Sequence, residues 1–247
     1  MKSSLRLALL SSIGALALTA CGGGAADSSK EQAAIAKIAA PAGKSWSDVV
    51  APSAEGGMVM GNPDAPIKIV EFASITCSHC ADFSKSAMPE LKKDYIDSGR
   101  VSLEMRHFVR DPLDAMVSAV LRCSPADRYF PLLDSSFDAQ ADLFAGAQAN
   151  PSAGEAAMKL APDQRFTTLA TGWKLDDFFK ARGVTEDQLK SCLSNVDNIT
   201  KLEEIGNNAT QTHRITGTPS FLINGKLADG IASWEPLRER LKAMGAR

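Results

Sequence analysis

The chain carries few reactive side chains. Its 247 residues include five cysteines and three histidines. No apolar run is long enough to span a bilayer, no segment repeats, and no basic excess suggests a nucleic-acid surface. A structural zinc site needs about four ligands. The single Cys-x-x-Cys has no second copy, and only His107 and His213 lie outside it, so such a site is short of donors.

What is present is concentrated at Cys77-Ser78-His79-Cys80. The apolar run Ile67-Lys68-Ile69-Val70-Glu71-Phe72-Ala73 precedes it and reads as a buried strand. The segment from Ala81 to Met88 reads as a helix. A strand-to-helix turn places Cys77 at a helix N-terminus, where free backbone N–H groups and the helix dipole favour a thiolate. Cys80 falls one turn later on the same face. A purely structural disulfide here would be a poor staple, because stabilisation grows with loop length. The pair therefore points to redox chemistry.

The N-terminus has Lys2 and Arg6 before a short apolar run from Leu7 to Ala20. This predicts a signal peptide over residues 1–20 rather than a membrane span. Its end, Leu18-Thr19-Ala20-Cys21-Gly22, resembles a bacterial lipobox and makes Cys21 the expected lipidation site, with ordinary cleavage near Ala20 as the alternative. Export implies an oxidising compartment and a mature net charge of −4. Cys123 and Cys192 are then left as an even pair, expected as a structural disulfide; two unrelated buried thiols are the alternative. Residues 21–44, poor in periodicity, are expected as a flexible tether with a short helix near residues 31–39.

The folded part is expected over residues 45–247, opening with an edge strand near Ser45–Val50. A strand with one polar face is expected over Arg100–Val109. Asp111 and Pro112 read as N-cap and first residue of a helix. The pattern stays helical to about residue 212, with a capping box at Thr185 and Gln188. Asn224-Gly225 then signals a two-residue hairpin, and a last helix starts near Ser233. The order describes an α/β domain interrupted by helices at about 112–212.

Taken with Thr218-Pro219, these motifs make residues 45–247 resemble the DsbA-like thiol–disulfide oxidoreductases of the thioredoxin superfamily. Gly61-Asn62-Pro63-Asp64-Ala65-Pro66, Val70-Glu71-Phe72, Cys77-Ser78-His79-Cys80, Cys123 and Thr216-Gly217-Thr218-Pro219-Ser220-Phe221 occur in family order. The resemblance implies a thioredoxin-like fold with a helical insertion and a cis Thr218–Pro219 bond facing the cysteines. It implies Cys77 as exposed nucleophile, Cys80 as buried resolving cysteine and His79 as a donor to the Cys77 thiolate. Glu71 would relay a proton to Cys80, or else is a strand-end carboxylate facing water. No bound cofactor or metal is implied.

The expected substrates are exported proteins in the bacterial periplasm, with a quinone-linked membrane partner restoring the disulfide. Ser78 departs from the proline common after the first cysteine, which leaves the direction open. A reductase or isomerase is the alternative of the same chemistry. A Cu(I)-binding metallochaperone using Cys77, Cys80 and His79 is the alternative of another class.

Overall fold

The computed structural model describes residues 32–247; the expected signal peptide and Cys21 lie outside the described residues. Six strands form one mixed sheet: β1 (Val50–Pro52), β2 (Met58–Gly61), β3 (Ile67–Ala73), β4 (Val101–His107), β5 (Ser220–Ile223) and β6 (Lys226–Leu227), in the order β1-β2-β4-β3-β5-β6. The central β3 is parallel to β4 and antiparallel to β5. The parallel pair is joined through helix α1 (Ser78–Glu90) and a following π-helical turn at Leu91–Ile96. Eight helices, α2 (Pro112–Cys123) to α9 (Val196–His213), separate β4 from β5, and α10 (Trp234–Ala243) ends the fold. This is an α/β thioredoxin-like fold with a helical insertion.

β3 is covered on both faces, which explains its nearly continuous apolar sequence. Ile67, Ile69 and Ala73 join the main core, whereas Val70 and Phe72 pack with Ala209, Ile215 and Leu222 near the end of α9. Side chains alternate across a strand. Glu71 therefore points with Ile69 and Ala73 into the main core, alongside Met88 of α1 and Phe130 and Leu133 of α3 (Ala126–Asp138).

Several local signals act as expected. The Asp111 carboxylate accepts from the Asp114 backbone N–H at 3.0 Å. Thr185 and Gln188 form the capping box of α8 (Glu186–Ser194). Asn224 and Gly225 both have positive φ, 49° and 77°, as a two-residue hairpin turn requires.

Two expectations are corrected. Ser45–Val50 is not a strand: a 3₁₀ turn spans Trp46–Asp48, and the edge strand begins at Val50. The polar face expected of β4 is present, and on it Arg106 is folded down onto Glu104 (Nε–Oε1 2.7 Å) and lies over the Phe72 ring. Residues 32–44, however, are not a free tether, and residues 32–39 form no helix. The backbone N–H groups of Gln32, Ile35 and Ile38 each donate at 2.9 Å, to the carbonyls of Ala243, Gly245 and Ser98. The Trp46 indole also donates to the Ile38 carbonyl at 2.8 Å. The segment is an extended strap whose irregular pairing leaves no periodicity to read.

Candidate active site

Cys77 is the N-cap of α1, in extended backbone conformation. Its carbonyl accepts from the N–H groups of Cys80 and Ala81 at 3.1 and 3.2 Å, while its own N–H donates to the Ser74 carbonyl at 3.1 Å. Opposite it, the Thr218–Pro219 bond is cis. The Cys77 thiol donates to the Thr218 carbonyl at 3.2 Å. The Thr218 hydroxyl is buried with no hydrogen-bond partner among the described residues, and the side chain favours ionisation of both sulfurs.

The two thiols, both free in this structure, differ in acidity. Burial opposes ionisation of Cys77, but the Thr218 side chain, the Cys80 N–H and thiol, and the His79 N–H outweigh it and hold the pKa below the ordinary thiol range. For Cys80, burial and then the Glu71 carboxylate push the pKa far up. Glu71 is itself raised to about 8, by burial first and then by Asp134 and Cys77. A carboxyl group that is neutral at neutral pH thus lies close behind the less acidic thiol.

The expected site residues do not all behave alike. Cys77, Cys80, Glu71, Thr218 and Pro219 come together at one end of β3. Glu71 is 6% exposed and faces the core, so the water-facing alternative is excluded. Cys77 is only 4% exposed, less than expected of an attacking group, because the cis-proline loop closes over its sulfur. The His79 side chain is exposed and makes no hydrogen bond among the described residues; its backbone N–H, not its imidazole, reaches Cys77. Since no group of three or more His, Cys, Asp or Glu side chains able to hold a metal occurs among the described residues, the copper-site trio of Cys77, Cys80 and His79 is not assembled.

Sequence reasoning missed what fixes the turn. The wholly buried Asp114 accepts from the Ser74 hydroxyl (2.5 Å), the Ile75 N–H (2.9 Å), the Arg110 N–H (3.1 Å) and the Ser118 hydroxyl (3.2 Å). Its pKa is raised to about 6, with burial as the leading cause. Gln140 of α4 (Gln140–Ala149) donates to the Ile75 and Cys77 carbonyls at 2.7 and 3.0 Å. The helical insertion thereby clamps the loop leading into Cys77. The one available signal was a carboxylate at the third position of α2, which reads simply as first-turn charge.

Cys123 closes α2 and Cys192 lies in α8. Both are free thiols, and each shifts the acidity of the other. His107 is fully buried, with Tyr129 Oη at 2.8 Å from its Nε2. His213 ends α9 with its ring 6.0 Å from that of Phe72.

The family model described as thioredoxin matches residues 53–243. The chain belongs to the thioredoxin family. A Rickettsia bellii protein provisionally named protein-disulfide oxidoreductase is 32% identical over 172 residues, covering 69% of this chain and 58% of the relative. The chain thus spans little more than half the length of such relatives. Disulfide bond formation protein D of Bacillus subtilis is 24% identical, with 77% of this chain and 78% of the relative covered. Among solved structures, the protein-disulfide isomerase of Novosphingobium aromaticivorans superposes with a TM-score of 0.70 at 34% identity, covering 76% of this chain and 97% of that one. Wolbachia pipientis alpha-DsbA1 shares the fold, with a TM-score of 0.60 at 20% identity over 78% of this chain and 94% of its own. Within the thioredoxin family, then, the insertion is of the DsbA type.

Proposed function

We propose that this thioredoxin-family protein is a thiol–disulfide oxidoreductase that installs disulfides in exported proteins. The observation that carries the reading is the geometry of the pair: Cys77 caps α1 with its thiol on the carbonyl of the cis Thr218–Pro219 bond, while Cys80 and Glu71 are buried, and the acidities of the two thiols differ accordingly. Starting from the oxidised pair, a substrate thiolate attacks the Cys77 sulfur. The Cys77–Cys80 bond breaks, and Cys80 leaves with the electron pair and takes a proton, which the neutral Glu71 carboxyl supplies. The substrate's second thiolate then attacks the substrate sulfur of the mixed disulfide, and Cys77 leaves as the stabilised thiolate. The substrate loses two electrons and the Cys77–Cys80 pair gains them. A membrane redox partner, quinone-linked, takes those electrons and restores the disulfide.

The potential of the Cys77–Cys80 couple tests the direction. A thiolate-stabilised reduced form makes an oxidant, so a value well above that of thioredoxin, about −270 mV, is expected. A value near −270 mV would end the oxidant reading and leave the exchange chemistry in place. An isomerase is the second reading, favoured by the name and 34% identity of the Novosphingobium neighbour. Refolding of a scrambled substrate without net oxidation would favour it.

The Leu18-Thr19-Ala20-Cys21 motif supports a protein anchored through Cys21 to a membrane facing the periplasm. Among the described residues no helix is long and apolar enough to cross a membrane. Cys21→Ala should release the protein from the membrane fraction or leave it unprocessed. Recovery of wild type as a soluble form beginning elsewhere would remove the anchor from the reading.

A further inference from the structure

The second cysteine pair opens onto a cavity of about 430 Å³, within the range of small-molecule sites. Its wall includes Cys123, Cys192, Arg128, Asp187, Gln188 and Ser191. Cys123 is exposed and Cys192 is buried, so one sulfur can be reached from solvent and the other stands behind it. The Asn198 amide donates to the Cys123 sulfur at 3.6 Å. The Arg128 guanidinium makes one hydrogen bond, to the Arg182 carbonyl at 2.6 Å, and neither Arg128 nor Asp187 has an ion-pair partner among the described residues. A cation and an anion are thus free on the wall of a cavity that holds two thiols.

We propose that this cavity is a second thiol–disulfide exchange site, which takes a small zwitterionic thiol or its disulfide, with Cys123 attacking and Cys192 resolving. A covalently inert staple would need neither the cavity nor the free charges. The Cys123 thiolate attacks one sulfur of the small disulfide, whose S–S bond breaks, and one thiolate leaves. Cys192 gives up its proton and attacks the Cys123 sulfur, and the second thiolate leaves. Two electrons pass from the Cys123–Cys192 pair to the small disulfide, and its two thiolates take up the protons released. Arg128 pairs with the ligand carboxylate and Asp187 with its ammonium group. The acidities agree with these roles: the Cys192 thiol and then Arg122 favour the Cys123 thiolate against burial, while Cys192 is pushed far up, first by Cys123 and then by burial.

The full chain with Cys77→Ala and Cys80→Ala isolates this pair from the site proposed above, so the two readings fail separately. It would be equilibrated with glutathione and glutathione disulfide, quenched with an alkylating mass tag and mapped by peptide. A titratable Cys123–Cys192 disulfide is expected, and adding Cys192→Ala should trap glutathione on Cys123. Arg128→Ala should slow exchange with glutathione disulfide about tenfold while leaving uncharged hydroxyethyl disulfide unaffected. That ratio is taken on one protein sample, so a general loss of folding does not mimic it. A pair that stays fully oxidised or fully reduced across the glutathione series would overturn the proposal. So would trapping on Cys192 in a Cys123→Ala counterpart that is faster than trapping on Cys123 in the Cys192→Ala protein, or an Arg128→Ala effect equal for both reagents.

Discussion

The two cysteine pairs of this protein reach the same kind of asymmetry by opposite local means. Cys77 sits at the N-terminus of α1, where unpaired N–H groups and the positive end of the dipole favour a thiolate. Cys123 is the last residue of α2, where the dipole opposes one. There the Cys192 thiol and the Arg122 charge favour ionisation instead. Cys77 and Cys80 are three apart on one helix, whereas Cys123 and Cys192 are brought together by two helices of the insertion. At Cys77 the N–H groups of the helix start add to the Thr218 side chain, whereas at Cys123 a neighbouring thiol and a cation work against the helix end.

The comparison breaks most completely at Cys77. Cys77→Ser should abolish exchange at the first pair, and Cys80→Ser should instead accumulate a mixed disulfide with a one-cysteine peptide supplied as its disulfide-linked dimer, the other peptide leaving as the thiolate. Non-reducing electrophoresis and peptide mapping distinguish the two. Equal trapping on either cysteine would remove the assigned order of attack.

Glu71 is a buried carboxyl at the first pair, whereas Asp187, on the cavity wall of the second, is exposed. Glu71→Gln should slow release of Cys80 about a hundredfold near neutral pH, within the usual reach of general acid–base catalysis. It should also change stability. The folded protein binds a proton at Glu71 that the unfolded chain has lost, between the ordinary value of 4.5 and about 8. Stability should therefore fall as pH rises through that window, by up to about 5 kcal/mol, and Glu71→Gln should flatten the fall. Denaturation midpoints measured across the window check this. His107 acts in the reverse sense: its pKa is lowered to about 3 by burial and then Arg122, so stability is lost as pH falls below 6.5.

Closing the Cys123–Cys192 disulfide links positions 69 residues apart. In the chain-entropy model this is worth about 4 kcal/mol. Oxidised protein should exceed Cys123→Ser in unfolding free energy by about that amount, whereas oxidising the short Cys77–Cys80 loop should contribute far less through the same mechanism. Denaturant unfolding of the two forms measures the difference. The smallest effect is expected from Gln140→Ala, which removes two donors to the Cys77 turn. It should cost about 1–3 kcal/mol and change exchange at Cys77 only a few-fold, with no change at Cys123.

Features that depend on local spacing were legible in the chain: the covered strand before Cys77, the caps at Asp111 and Thr185, the Asn224-Gly225 turn, and the reactive pair itself. The family resemblance added the cis Thr218–Pro219 loop and a role for Glu71. What escaped reading depends on partners far along the chain. The strap at residues 32–44 is held by carbonyls near the C-terminus, and its extended backbone has no apolar period. Asp114 reads as a first-turn acid, yet burial and the Ser74–Ile75 loop make it the clamp of the active-site turn.

The sequence by itself determined where the sulfur chemistry lies, because a strand, a turn and a helix N-terminus follow from neighbouring residues. Only the tertiary structure decided which groups set the acidities. Desolvation and charge act through space: folding brought the Glu71 charge to bear on Cys80, left the His79 side chain exposed, and set Arg128 and Asp187 on one cavity wall with Cys123.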